Sequence, residues 1–80
     1  MERAIALEKV IEVVTTQMDC DTADVTETTS YAEDLGADSL DLVELVIAFE
    51  DEFGVTIEED VVGSIKTIGE TADFIVAQAG

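Results

Sequence analysis

The stretch Asp38-Ser39-Leu40-Asp41-Leu42-Val43-Glu44-Leu45-Val46-Ile47-Ala48-Phe49-Glu50-Asp51-Glu52-Phe53-Gly54 reads as one amphipathic helix, and the rest of the chain is read outward from it. Leu42, Leu45, Val46, Phe49 and Phe53 recur at helical spacing and form a single apolar stripe. Asp38 can accept N–H bonds as the N-cap, and Gly54 supplies a C-terminal stop. The spacing predicts a helix from about Ser39 to Glu52.

Ser39 stands at the mouth of this helix, between Asp38 and Asp41. A hydroxyl there is exposed, and the neighbouring backbone N–H groups are free and favour an attached phosphate. The chain has no histidine, so Ser39 has no base that would make it a hydrolase-like nucleophile. It reads as an attachment point, and the chain is not expected to be an enzyme. Serine also opens many helices simply because it caps well. Asp38 is available for that task here, which frees the hydroxyl without deciding its role.

Outward from this helix the pattern stays helical. Ile5, Leu7, Val10, Val13, Val14 and Met18 predict a first helix from about Arg3 to Met18, with Glu2, Glu8, Lys9 and Glu12 turned outward. From Asp19 to Ala37 the chain is rich in Thr, Asp and Ser and lacks a sustained period, so an ordered loop is expected, pinned by Val25, Tyr31 and Leu35. Glu58 to about Ser64 predicts a short third helix, weakened by Val61, Val62 and Gly63. Thr67-Ile68-Gly69-Glu70 is a capping box that opens a final helix, with Ala72, Phe74, Ile75 and Ala79 facing the core. Val55-Thr56-Ile57 is too short for a strand. The expected fold is all-α, a small four-helix bundle with a long ordered loop between the first two helices.

Eighty residues make one small domain, taken as residues 1–80, near the lower limit for a self-supporting core. Apolar residues are 48% of the chain, enough to fold, and aromatics only 5%, so Val, Ile, Leu and Ala must build the interior. The formal charge of −17 excludes nucleic acid as a partner and opposes an anionic membrane surface. It favours salt-sensitive encounters with basic protein surfaces and weakens the compact state by self-repulsion. Cys20 is the only cysteine, which fits a reducing compartment, and no apolar run approaches a membrane span, so a cytoplasmic protein is expected.

Two acidic groupings invite functional readings. Asp19, Asp21, Asp24 and Glu27 suggest a calcium loop, but Asp24 falls where the turn needs Gly and Ser30 where a bidentate Glu is required. A solvated loop is the better account. On the second helix, Asp41, Glu44 and Asp51 are interleaved with Leu40, Val43 and Ile47, which are surplus to the core stripe. Such a surface suits a transient partner. A solvated face beside a wide core stripe fits the pattern equally well.

Leu35-Gly36-Ala37-Asp38-Ser39-Leu40-Asp41, followed by Val43-Glu44-Leu45-Val46 and Phe53, resembles the acyl carrier protein family. The resemblance extends to Tyr31 and Glu33-Asp34-Leu35 before the motif and Thr67-Ile68 after it, covering nearly the whole chain. It implies a discrete, bacterial-type carrier of dissociated fatty-acid synthesis, with 4′-phosphopantetheine attached covalently to Ser39 and Asp38 as the helix cap beside it. A holo-carrier synthase, a phosphopantetheinyl transferase, would load the group from coenzyme A.

The resemblance further implies that enzymes with basic docking patches read Leu40, Asp41, Val43, Glu44, Ile47 and Asp51. An acyl tail would lie among Leu42, Leu45, Val46 and Ile65. A monomer is expected, without metal, nucleic acid or membrane insertion. Asp38 before Ser39 sets the chain apart from the peptidyl carriers of nonribosomal synthesis, which more often have Gly there. A carrier for a polyketide or other specialised acyl pathway is the alternative within this class; an unmodified acidic adaptor is the alternative outside it.

Overall fold

Helix α1, Arg3–Met18, is the element against which the other two long helices are laid. The computed structural model describes residues 1–79, with the backbone alone for Ala79, so the expectation that Ala79 faces the core lies outside the described residues. α1 packs along α4, Ile68–Ala79, and along α2, Ser39–Phe53. α3, Glu59–Val62, is a single turn between α2 and α4. All-α architecture, the long loop and the short third helix are as the sequence predicts.

α1 has no side-chain cap at its N-terminus, and it ends at Asp19 in the left-handed conformation, φ 53°. With many β-branched residues and no such cap, it depends on packing. Its buried ridge is Ala6, Val10, Val14 and Thr15. Ile5, expected inward, is 45% exposed, and Leu7, Val13 and Met18 are half-buried. The i, i+4 row through small Ala6 faces the neighbours, and the row through Ile5 is turned away.

α4 buries Ile68, Thr71, Ala72 and Ile75 completely, while Phe74 is only half-buried. Thr67 opens this helix by accepting the Glu70 N–H at 3.2 Å. Glu70 answers by accepting the Thr67 hydroxyl at 3.1 Å rather than a backbone N–H. Gly69 sits where a Cβ would lie 2.9 Å from the Glu27 carbonyl oxygen, and its own N–H donates to that oxygen at 2.8 Å. Only glycine allows the loop backbone this close to α4.

The loop from Asp19 to Ala37 is ordered, as expected, and carries a short 3-10 turn at Thr22–Asp24 capped by Asp21. Val25 and Tyr31 are buried and Leu35 is half-buried. An antiparallel bridge, Ser30 with Thr67, laces the loop to the start of α4. Tyr31 N–H donates to the Lys66 carbonyl and Ile68 N–H to the Thr29 carbonyl. Arg3 adds an ion pair to Glu27 at 3.2 Å and another to Asp73 at 2.6 Å, tying α1, the loop and α4 together.

Candidate functional site: the mouth of α2

Ser39 is positioned by two structures, a cap around it and a turn before it. Asp38 Oδ1 accepts the Asp41 N–H at 2.9 Å, and Asp41 Oδ2 accepts the Asp38 N–H at 3.2 Å, a reciprocal capping box. Neither bond uses the Ser39 hydroxyl, and Ser39 is exposed. The box covers the third helical N–H and leaves those of Ser39 and Leu40 at the open end of the helix.

Before the cap, Gly36 turns the chain at φ 65°, and a Cβ added there would meet nothing within 4 Å. The approach to the helix is therefore uncrowded at Gly36. Ala37 is buried and its N–H donates to the Tyr31 carbonyl at 2.8 Å. Upstream, a closed turn anchors this approach: Asp34 and Leu35 N–H both donate to the Ser30 carbonyl, and Asp34 Oδ2 accepts the Ser30 N–H at 2.7 Å.

Tyr31 links the mouth of α2 to α4. Its ring is 2% exposed, and its hydroxyl is hydrogen-bonded to the Thr71 hydroxyl, which itself donates to the Thr67 carbonyl at 3.0 Å. The single Thr71 proton is thus committed, so Tyr31 is the donor to Thr71. Burial pushes the Tyr31 phenol well above its ordinary range; the Thr71 bond opposes the shift and nearby Glu70 adds to it.

The apolar residues expected at a docking face are exposed: Leu40 67%, Val43 54% and Ile47 59%. Glu44 and Asp51 are exposed with them. Asp41 is half-buried and bound into the capping box, so its carboxylate serves the helix start as well as the surface. No ion pair reaches these α2 acids among the described residues, where Arg3 makes the pairs. Crowded like charges repel and leave the face open to an incoming cation.

Of the residues expected around an acyl tail, Leu45 and Ile65 are buried and Leu42 and Val46 half-buried. They belong to or pack on the core, and neither of the two described clefts is lined by them. Sequence reasoning did not anticipate the partnership of Tyr31 with Thr71, because nothing in the pattern pairs residues so distant. It also missed Glu50, whose Oε2 accepts the Ile57 N–H at 2.8 Å and folds the connector after α2 back on the helix.

The family model for the phosphopantetheine attachment site matches residues 8–75. The chain belongs to the acyl carrier protein family. It is 47% identical over 74 residues to the acyl carrier protein of Phenylobacterium zucineum, covering 92% of this chain and 94% of that relative. It is 49% identical over 69 residues to that of Caulobacter vibrioides, covering 86% of this chain and 88% of the relative. Among solved structures, the acyl carrier protein of Enterococcus faecalis superposes with a TM-score of 0.80 at 35% identity, covering 98% of this chain and 99% of that one.

As an acyl carrier of this family, the chain uses 4′-phosphopantetheine as its prosthetic group. No helix of the structure is long and apolar enough to cross a membrane among the described residues.

Proposed function

We propose that Ser39 is the residue to which the phosphopantetheine arm is attached. The observation that carries this reading is the capping box, which occupies Asp38 and Asp41 with each other's N–H groups and leaves an exposed hydroxyl at an open helix mouth. The open N–H groups of Ser39 and Leu40 favour a phosphate bound there. The Ser39 oxygen forms the new bond to phosphorus, coenzyme A loses its adenosine bisphosphate portion, and the loading enzyme takes the hydroxyl proton. When bound, the arm supplies a thiol that holds an acyl chain as a thioester, tethered so that each enzyme meets it at high effective concentration.

The residues Leu40, Asp41, Val43, Glu44, Ile47 and Asp51 form the docking face for the phosphopantetheinyl transferase and for enzymes of fatty-acid synthesis, the pathway this reading assigns to the carrier. Their exposed apolar contacts among unpaired carboxylates suit basic partners that bind and leave. An acyl tail enters beside Leu42, Leu45, Val46 and Ile65, gaining roughly 0.8 kcal/mol per buried methylene. These side chains are packed here, so entry requires them to separate. The reading is of one carrier domain over residues 1–80, monomeric and cytoplasmic, not an enzyme. The charge of −17 supports it by opposing self-association, and the lone Cys20 by fitting a reducing compartment.

Intact mass decides the attachment. Incubation with coenzyme A and a phosphopantetheinyl transferase should add one phosphopantetheine to the native chain and none to Ser39→Ala, whose stability should stay within about 0.5 kcal/mol. Loading of the alanine variant would move the attachment elsewhere.

A further inference from the structure

Along the seam between α1 and α2 runs a cleft with carboxylates on both sides, Glu12 from α1 and Glu44, Asp51 and Glu52 from α2. Deeper between them lie half-buried Val13 and Ala48, with exposed Ile47 at the edge. Neither Lys nor Arg lines the cleft, and Arg3 is engaged with Glu27 and Asp73. The Thr16 hydroxyl is turned back on the Glu12 carbonyl at 2.8 Å, and exposed Gln17 also lines the cleft. The surface is more polar than apolar, with the apolar contact confined to Val13, Ile47 and Ala48. From Glu44 to Glu52 the cleft follows about 12 Å of α2, two helical turns.

We propose that this cleft receives a short helical segment of a basic partner protein, one that carries Lys or Arg beside an apolar residue, so that recognition extends from α2 onto α1. The proposal rests on the reading of α2 as the docking face. Cations on the segment meet carboxylates from two helices at once, and the apolar residue covers Val13, Ile47 and Ala48. Carboxylates facing one another across the cleft repel, and a cation between them removes that cost. A second copy of this acidic chain, a nucleic acid and an anionic lipid surface are all repelled by the same charges. The cleft begins about 8 Å along the axis from Ser39, so it governs association and not chemistry at the hydroxyl.

The probe is a synthetic amphipathic peptide with Leu and Lys at helical spacing, titrated into the isotopically labelled full chain at low salt and followed by amide shifts. Saturable shifts centred on Val13, Ile47 and Ala48 are expected. Glu12→Lys and Glu44→Lys should each weaken binding on the order of three- to tenfold, an effect that shrinks as salt is raised. Asp24→Lys, with the same change in charge outside the cleft, should change affinity less than about twofold. Equal loss in all three variants would show unspecific attraction and overturn the proposal. Loss with Glu44→Lys alone would overturn it while leaving the α2 docking face intact. Unchanged binding in every variant would sink both readings. Thermal melting of each variant checks that the fold is retained.

Discussion

The seam between α1 and α4 and the flank formed by α2 use the same aliphatic side chains, yet one is closed and the other left open. Along the seam, Ala6, Val10 and Val14 meet Ile68, Ala72 and Ile75 with no exposure at all. Arg3 clamps its rim to Asp73 and Glu27, and Gly69 lets the loop backbone touch the helix. Only Leu45 and Phe49 of α2 are buried, while Leu40, Val43 and Ile47 face solvent among unpaired acids. The difference separates two tasks. On the proposed reading of α2 as the docking face, one region holds the fold so that the other can stay accessible to changing partners.

The contrast should be plainest in paired truncations. Ile75→Ala, within the seam, should cost about 2–5 kcal/mol, whereas Ile47→Ala on the flank should stay within about 0.5 kcal/mol. Urea unfolding of the two variants measures both. Comparable losses would mean that Ile47 contributes to the core despite its exposure.

Gly69→Ala comes next in size. The added methyl would lie 2.9 Å from the Glu27 carbonyl oxygen and 3.3 Å from Arg3 Nη2, so backbone must shift and the clamp with it. A loss of about 1–3 kcal/mol is expected, as for overpacking elsewhere. A neutral result would show that loop and helix can separate freely, and that the seam is less rigid than its contacts imply.

Tyr31→Phe should cost about 1 kcal/mol near neutral pH, the usual value of one hydrogen bond, since Thr71 keeps its bond to the Thr67 carbonyl. The pH dependence has a definite sign. The folded phenol is raised above its unfolded value of 10.0, so its contribution is fully present below that value and is lost as pH rises toward the folded one. Native stability should therefore fall above about pH 10 more steeply than that of Tyr31→Phe. Parallel curves in the two proteins would show that the phenol ionises equally well when folded.

The smallest expected effects distinguish acids within α2. Asp41→Lys removes half of the capping box and should cost about 0.5–1 kcal/mol as well as slowing loading of Ser39. Glu44→Lys makes no cap and should slow loading without loss of stability, chiefly at low salt. Equal melting temperatures for the two variants would remove the structural role assigned to Asp41.

The element plan was legible because each helix announces itself locally. α1 is found where its apolar period places it, and Asp38 and Gly54 bound α2 with the caps their chemistry suggests. Ser39 could be singled out because a hydroxyl beside a better cap is conspicuous in the sequence itself. Depth of burial was less legible. Ile5 and Phe74 are apolar and correctly spaced, but a helical period fixes a stripe only to within a residue or so, and neighbouring helices choose which edge of it is covered. α3 is shorter than expected, since Glu58 provides no side-chain cap and Gly63 follows closely.

By itself the sequence determined an acidic, all-helical domain with a serine at the mouth of its second helix, since charge, caps and periodicity are local properties of the chain. The carrier role entered through the resemblance of the Leu35–Asp41 motif to its family. Tertiary structure decided what those residues meet. It set Tyr31 against Thr71, Gly69 against the Glu27 carbonyl and Glu12 across a cleft from Glu44. These pairings depend on how helices pack and how a loop closes, so their energies arise only when segments far apart in the chain are brought into contact.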